Sequence, residues 1–198
     1  MPTILAVYGS PRRKGNSALL LAKAVEGSQD AGAVVESLYL RDLKMSPCLE
    51  IYECLNTGRC AVQDDFQDVY DKLATCDGLM LASPVFFYAV SAHTKILMDR
   101  CQSFWAKKYK VEKRPFGLST PARKGLFVSV GASAGKKLFD GALLSVRYFF
   151  DALDMDLWKC LLYRSLDSEG DVLKHPTYLT EAYEAGREFC EAIRRSEA

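Results

Sequence analysis

The sequence predicts an α/β protein, a doubly wound five-stranded parallel sheet with helices on both faces. Three observations carry this. There are five strand candidates, three of them short apolar runs closed by Gly or Pro. Helical segments separate them, an order that argues for a parallel sheet covered on both sides. Right-handed crossovers then make the doubly wound sheet the natural closure.

The elements follow in order. Thr3–Tyr8 (TILAVY) is a buried strand ended by Gly9, Ser10 and Pro11. Asn16 or Ser17 can cap a helix running to about Ala31. Residues 33–40 (AVVESLYL) form the second strand candidate, and a loop rich in Cys, Pro and Gly spans 44–63. Residues 65–76 read as a helix with one apolar face at positions 66, 69, 70 and 73. Residues 78–83 (GLMLAS) are a strand stopped by Pro84, and 91–101 a helix. Residues 125–130 (GLFVSV) are a strand, 136–153 a long helix, 156–163 the fifth strand and 177–195 the last helix. The polar stretch 107–114, within 104–122, reads as a loop or insertion. In such sheets ligands bind beyond the carboxyl ends of the strands, near the switch point of the strand order. The loops at 9–17, 84–90 and 131–135 should therefore lie together.

The 198 residues suit one domain over 1–198, with 49% apolar and 26% charged residues. A formal charge of +1 gives no reason to expect nucleic acid or an anionic membrane as partner. The N-terminal apolar run is too short for a signal peptide, and no stretch reaches the ~18 apolar residues of a membrane span. A cytoplasmic protein is expected. The seven cysteines are odd in number, which argues against a disulfide framework.

Between the first strand and first helix lies Gly9-Ser10-Pro11-Arg12-Arg13-Lys14-Gly15-Asn16-Ser17. A helix N-terminus offers unpaired N–H groups and a positive dipole end. Ser10, Asn16 and Ser17 add short polar side chains, Arg12, Arg13 and Lys14 add charge, and the glycines permit tight turns. This combination suits a phosphate. It is neither a Walker A loop nor GxGxxG. The alternative is a polar turn with basic residues in solvent. After the third strand, Pro84-Val85-Phe86-Phe87-Tyr88 places three consecutive aromatics in a loop. A flat conjugated ring would find an apolar wall and N–H donors there; the alternative is packing at a core edge or an oligomer interface.

GSPRRKGNS at 9–17 and SPVFFYAVSAHTKILMDR at 83–100 resemble the NADPH-dependent FMN reductase family, and within it the branch of iron–sulfur flavoproteins. The resemblance covers nearly the whole chain and implies a flavodoxin-like fold with bound FMN. It implies that Ser10, Arg12, Asn16 and Ser17 hold the phosphate, and that Pro84, Val85, Phe86 and Phe87 line the isoalloxazine. Gly131, Ala132 and Ser133 would approach the ring from the other side. It further implies NADPH or NADH as donor, a small-molecule or protein acceptor, and a homodimer or homotetramer whose subunits meet near the flavin. Tyr88 departs from the family, which often has Gly there.

The iron–sulfur branch carries C-x2-C-x2-C-x5-C after the second strand. Cys48, Cys54 and Cys60 take its first, third and fourth positions, and Ile51 takes the second. A [4Fe–4S] cluster normally takes four thiolates, and isoleucine has no donor atom. The simplest expectation is a loop without a cluster. Three-cysteine clusters, zinc, buried thiols or a redox-active pair such as Cys54 with Cys60 remain open. Asp99 and Arg100 read as a structural or inter-subunit salt bridge. No nucleophile or acid–base pair is visible, so no catalytic residue is assigned; hydride and electron transfer belong to the flavin. Three functions compete: a reductase of small acceptors, a carrier that docks a redox partner, and a non-redox binding module on the same fold.

Overall fold

The computed structural model describes residues 1–116 and 123–197. Five strands, β1 (Thr3–Tyr8), β2 (Val34–Tyr39), β3 (Gly78–Pro84), β4 (Arg123–Val130) and β5 (Met155–Tyr163), form one parallel sheet in the order β2-β1-β3-β4-β5. Strand side chains alternate between faces, and here both faces are covered. Ile4, Ala6 and Tyr8 meet the core beneath α1 (Asn16–Asp30) and α7 (Pro176–Glu197). Leu5 and Val7 meet the other core, beneath α3 (Phe66–Thr75), α4 (Ala92–Arg100) and α6 (Asp140–Ala152). Burial on both sides is why these strands read as continuous apolar runs. β2 lies at the edge and is largely exposed.

α1 and α7 cross with backbones in near contact. A Cβ on Gly27 would lie 2.0 Å from the Tyr183 carbonyl oxygen, and one on Gly186 1.9 Å from that of Ala24. α3 buries Phe66, Val69, Tyr70 and Leu73, the apolar face expected from the sequence.

Three expectations need correction. The first helix has Gly15, not Asn16 or Ser17, at its cap position. The helix expected from 136 begins at Asp140, because Leu138 and Phe139 turn into the core and Leu138 packs over Gly131. The basic stretch 107–114 is largely helical. α5 (Gln102–Ala106) runs into a π-turn at Lys107–Val111. That turn buries Lys108, whose Nζ lies 3.0 Å from Asp154, and Arg114 pairs with the same carboxylate at 2.9 Å. The remainder of the expected insertion, 117–122, lies outside the described residues. Within the 44–63 loop, α2 (Cys54–Thr57) is a single turn. Among the described residues no helix is long and apolar enough to cross a membrane.

The register brings the strand ends into line: Tyr8 pairs with Ala82, Pro84 with Val130, and Val130 with Tyr163. From β1 the chain goes to β2 on one side and returns to β3 on the other. The switch point therefore falls between β1 and β3, where the two quoted loops emerge.

Candidate functional site

Buried hydroxyls weld the strand ends at the switch point. Ser91 caps α4 by accepting from Thr94 N–H at 3.3 Å, and its hydroxyl donates to the Gly9 carbonyl at 2.6 Å. Ser83 Oγ accepts from Ser91 N–H at 2.9 Å, and Ser129 Oγ donates to the Ser83 carbonyl at 2.8 Å. Gly9 itself donates to Ala82 O at 2.7 Å, and a Cβ on it would strike Thr94 Oγ1 at 2.0 Å. The loops after β1, β3 and β4 are thus held as one rigid edge, which presents any group they carry in fixed geometry.

On that edge a cavity of about 280 Å³ is walled by the first loop (Ser10, Pro11, Arg12, Gly15, Asn16, Ser17), by Pro84, Val85 and Phe86, by Val130, Gly131 and Ala132, and by Leu166 and Asp167. Its floor is the N-terminus of α1. Ser10 Oγ accepts from Arg12 N–H at 3.1 Å, which curls the loop. Gly15 closes it, and a Cβ there would lie 2.8 Å from Ser10 Oγ. Ser17 is 1% exposed, and its Oγ is the only buried side-chain N or O without a hydrogen-bond partner among the described residues. A buried polar atom without a partner is costly. Here it sits beside the first N–H groups of a helix, which have no intrahelical acceptors. The arrangement fits an anion.

Arg12 is exposed at the rim. Arg13 is engaged elsewhere, 2.6 Å from Asp42 and over the Tyr39 ring. Asn16 uses both ends of its amide on the segment after β5: Nδ2 donates to Ser168 O at 2.9 Å, and Oδ1 accepts from Val172 N–H at 3.1 Å. It offers the cavity only its backbone and holds Leu166 and Asp167 in place. Those two wall residues had no signal in the sequence, because their segment is brought there by tertiary pairing alone.

Phe87 and Ser133 stand outside the cavity wall. Phe86 to Ala89 form a tight turn with mutual backbone hydrogen bonds of 2.9 and 3.0 Å, and Phe87 and Tyr88 take φ of 50° and 61°. Side chains disfavour this left-handed region by roughly 1–2 kcal/mol per residue, and Phe87 at its tip is fully exposed. Ser133 Oγ accepts from Gly135 N–H at 3.4 Å. Arg164 secures this loop by donating to the Gly135 and Lys136 carbonyls, each at 3.3 Å. Among the described residues, Asp167 is the one carboxylate on the wall. Nearby, burial and then the Glu181 carboxylate push the Tyr163 phenol far above its ordinary range.

A second, larger cavity of about 620 Å³ lies by the carboxyl end of α4, lined by Cys48, Glu50, Ile51, Tyr52, Cys54, Cys60 and Met98 among others. It has carboxylates and no helix N-terminus of useful length, so the smaller cavity is the better anion site despite its size. Arg100 organises this loop. Its side chain is wholly buried and donates through Nη1 and Nη2 to Asp64 at 2.7 and 3.0 Å, to the Ser46 and Val62 carbonyls, and through Nε to Cys60 Sγ at 3.2 Å. Burial pushes the Asp64 carboxyl up, but Arg100 and the Ser46 and Phe66 N–H groups outweigh it and hold it below its usual value. The expected structural salt bridge therefore joins Arg100 to Asp64, while Asp99 pairs with Lys95 at 2.5 Å.

A sequence model described as NADPH-dependent FMN reductase matches residues 2–156. The chain belongs to the NADPH-dependent FMN reductase family. Among its relatives, an iron–sulfur flavoprotein of Methanocaldococcus jannaschii is 37% identical over 97 residues, covering 49% of this chain and 50% of the relative. An iron–sulfur flavoprotein of Archaeoglobus fulgidus is 32% identical over 116 residues, 59% of each chain. The chain thus spans about half the length of the first curated relatives it matches. A Bacillus subtilis protein, a candidate NAD(P)H-dependent FMN-containing oxidoreductase, is 23% identical over 180 residues, 90% of this chain and 93% of that one. A solved flavone reductase superposes with a TM-score of 0.72 at 19% identity, over 98% of this chain and 64% of that one. A flavodoxin from the Archaea gives 0.54 at 15%, over 97% and 99%. Both likenesses concern the fold, which is flavodoxin-like.

The family implies FMN, and the cradle at Ser10–Ser17 fits its phosphate, because the Ser17 hydroxyl is buried there without a partner. The archaeal relatives are named iron–sulfur flavoproteins, but a four-thiolate cluster does not fit the residues of this chain. Ile51 has no donor atom at the second position, and among the described residues no three His, Cys, Asp or Glu side chains converge as a metal site.

Proposed function

We propose that the protein is an FMN-dependent oxidoreductase that takes electrons from NADPH or NADH and passes them to FMN or to a small acceptor. The observation that carries this is the Ser17 hydroxyl, buried without a partner at the N-terminus of α1, in a chain of this family. Ser17 Oγ, Ser10 Oγ and the N–H groups at the start of α1 bind the phosphate, and Arg12 at the rim adds charge. Pro84, Val85 and Phe86 supply the apolar wall for the ring, with Phe87 and Tyr88 free to cover it. Gly131 and Ala132 close the opposite side, and the hydroxyl network keeps these walls apart at a fixed width. The flavin, when bound, supplies the hydride and electron chemistry.

A second reading, a carrier that docks a protein partner, is favoured by the exposed Phe86, Phe87 and Tyr88. The same surface, with exposed Leu144 and Tyr148 of α6, suits a homodimer or homotetramer. A cytoplasmic location belongs to the proposal, since reduced nicotinamides are drawn from that pool.

The test is the absorbance of the purified chain with added FMN, then NADPH or NADH, then a small acceptor. Flavin bands that bleach with the nicotinamide and return with turnover are expected. Turnover only with a protein partner selects the carrier. Failure to retain FMN in excess overturns both readings.

A further inference from the structure

The larger cavity is lined by three thiols that the flavin site does not use, and the buried Arg100 guanidinium lies behind one of them. Cys48, Cys54 and Cys60 open on the same space, together with Glu50, Glu53 and Asp99. They do not meet as a metal site, and Ile51 removes the fourth thiolate, so the thiols must be read as thiols. Their surroundings differ. Carboxylates on the wall disfavour a thiolate near them. Cys60 alone accepts a hydrogen bond from a cation, Arg100 Nε at 3.2 Å. The two terminal nitrogens of that guanidinium are occupied by Asp64, which fixes its plane and leaves Nε aimed at the sulfur. Cys54 is the opposite case: burial, and then the neighbouring Cys60 and Cys48, push its thiol up. Cys48 is exposed, in an irregular loop in which Glu50 and Tyr52 take positive φ.

We infer that Cys60 is a reactive thiol, that it is oxidised by peroxide, and that Cys54 resolves the product as a disulfide in this cavity. The Cys60 sulfur, held in place by the Arg100 Nε–H at 3.2 Å, is the nucleophile. It attacks one oxygen of hydrogen peroxide, the O–O bond breaks, and with one proton water leaves, giving Cys60 sulfenic acid. The Cys54 sulfur then attacks the sulfenic sulfur. The S–O bond breaks, a second water leaves with the Cys54 proton, and the S–S bond forms. Two thiols have lost two electrons and one peroxide has become two waters. The 620 Å³ space is open and roomy enough for this approach.

The experiment uses the full chain, reduced and freed of reductant, with iron and acid-labile sulfide measured first. One equivalent of hydrogen peroxide is added and thiols are counted, followed by digestion and mass spectrometry. Cleavage after Arg59 separates Cys60 from Cys54, and cleavage after Glu50 or Glu53 separates Cys54 from Cys48. A Cys54–Cys60 link with loss of two thiols is expected. In Cys54→Ser, oxidation should stop at a sulfenic acid that dimedone traps on Cys60. In Cys60→Ser, no link should form. Alkylation of Cys60 should outpace that of Cys48 and Cys54 by about tenfold, and Arg100→Lys, which lacks the Nε donor, should remove the advantage. If Arg100→Lys does not fold, the two cysteine variants decide. First reaction at Cys48 or Cys54, a link through Cys48, or stoichiometric iron and sulfide protecting the three thiols would each overturn the inference. None of these readouts depends on flavin binding.

Discussion

Ser17 concentrates the argument at the scale of one residue. Its hydroxyl lacks a partner in the folded chain, a state that costs about 1–3 kcal/mol. Ser17→Ala should therefore leave the melting temperature of the FMN-free protein equal or higher, and weaken FMN binding roughly tenfold or more, as loss of one charged hydrogen bond requires. Fluorescence titration with FMN measures it, and an unchanged Kd removes Ser17 from the phosphate site. Gly15→Ala is the matching steric test. The φ of Gly15 is −63°, comfortable for alanine, so lost FMN affinity would report the crowding of Ser10 Oγ at 2.8 Å rather than backbone strain. Asp64 carries a pH dependence. Its carboxyl is held below its ordinary value in the fold, so its stabilisation is present above the unfolded value near ~3.9 and is lost as pH falls through the folded one. Asp64→Asn, which leaves buried Arg100 without its counter-charge, should cost up to about 3–5 kcal/mol at neutral pH. That difference should shrink below about pH 4 in urea unfolding; a constant difference would mean that the pair does not titrate.

Between elements, the tightest junction is the crossing of α1 and α7. Glycine to alanine in an exposed helix normally stabilises by about 0.5–1 kcal/mol. At Gly186 the new Cβ would meet the Ala24 carbonyl at 1.9 Å, and backbone cannot step aside as a side chain can. Gly186→Ala should destabilise by about 1–3 kcal/mol or more, so the sign of the shift in thermal unfolding decides. The helix at 65–76 was legible because its apolar spacing survives in the sequence and becomes the buried face of Phe66, Val69, Tyr70 and Leu73. The π-turn was not. Lys107–Val111 looks solvated as a string, and Asp154 and Asp151, far along the chain, make burial of Lys108 tolerable.

For the whole molecule, the open question of assembly falls on the aromatic turn and the adjacent helix. Gly141 of α6 lets that helix approach the turn, since a Cβ there would lie 2.6 Å from the Tyr88 carbonyl oxygen. Phe87, Tyr88, Leu144 and Tyr148 are all exposed. If a second copy covers them, Phe87→Asp with Tyr148→Asp should reduce the mass seen by light scattering to that of one chain and weaken FMN retention. A wild-type protein already monomeric at micromolar concentration would count against the homo-oligomer.

By itself the sequence determined the fold class, the meeting of the glycine-bounded and apolar loops at the strand ends, and the missing fourth cysteine. Each of these is local: a run buried on both faces, a helix N-terminus, a side chain without a donor atom. Only the tertiary structure decided that Asn16 is spent on the segment after β5, that Ser17 is left without a partner, and that Arg100 turns to Asp64 and Cys60 rather than to Asp99. Those outcomes depend on which distant groups reach a buried donor or acceptor first. Sequence spacing does not record that competition; packing settles it.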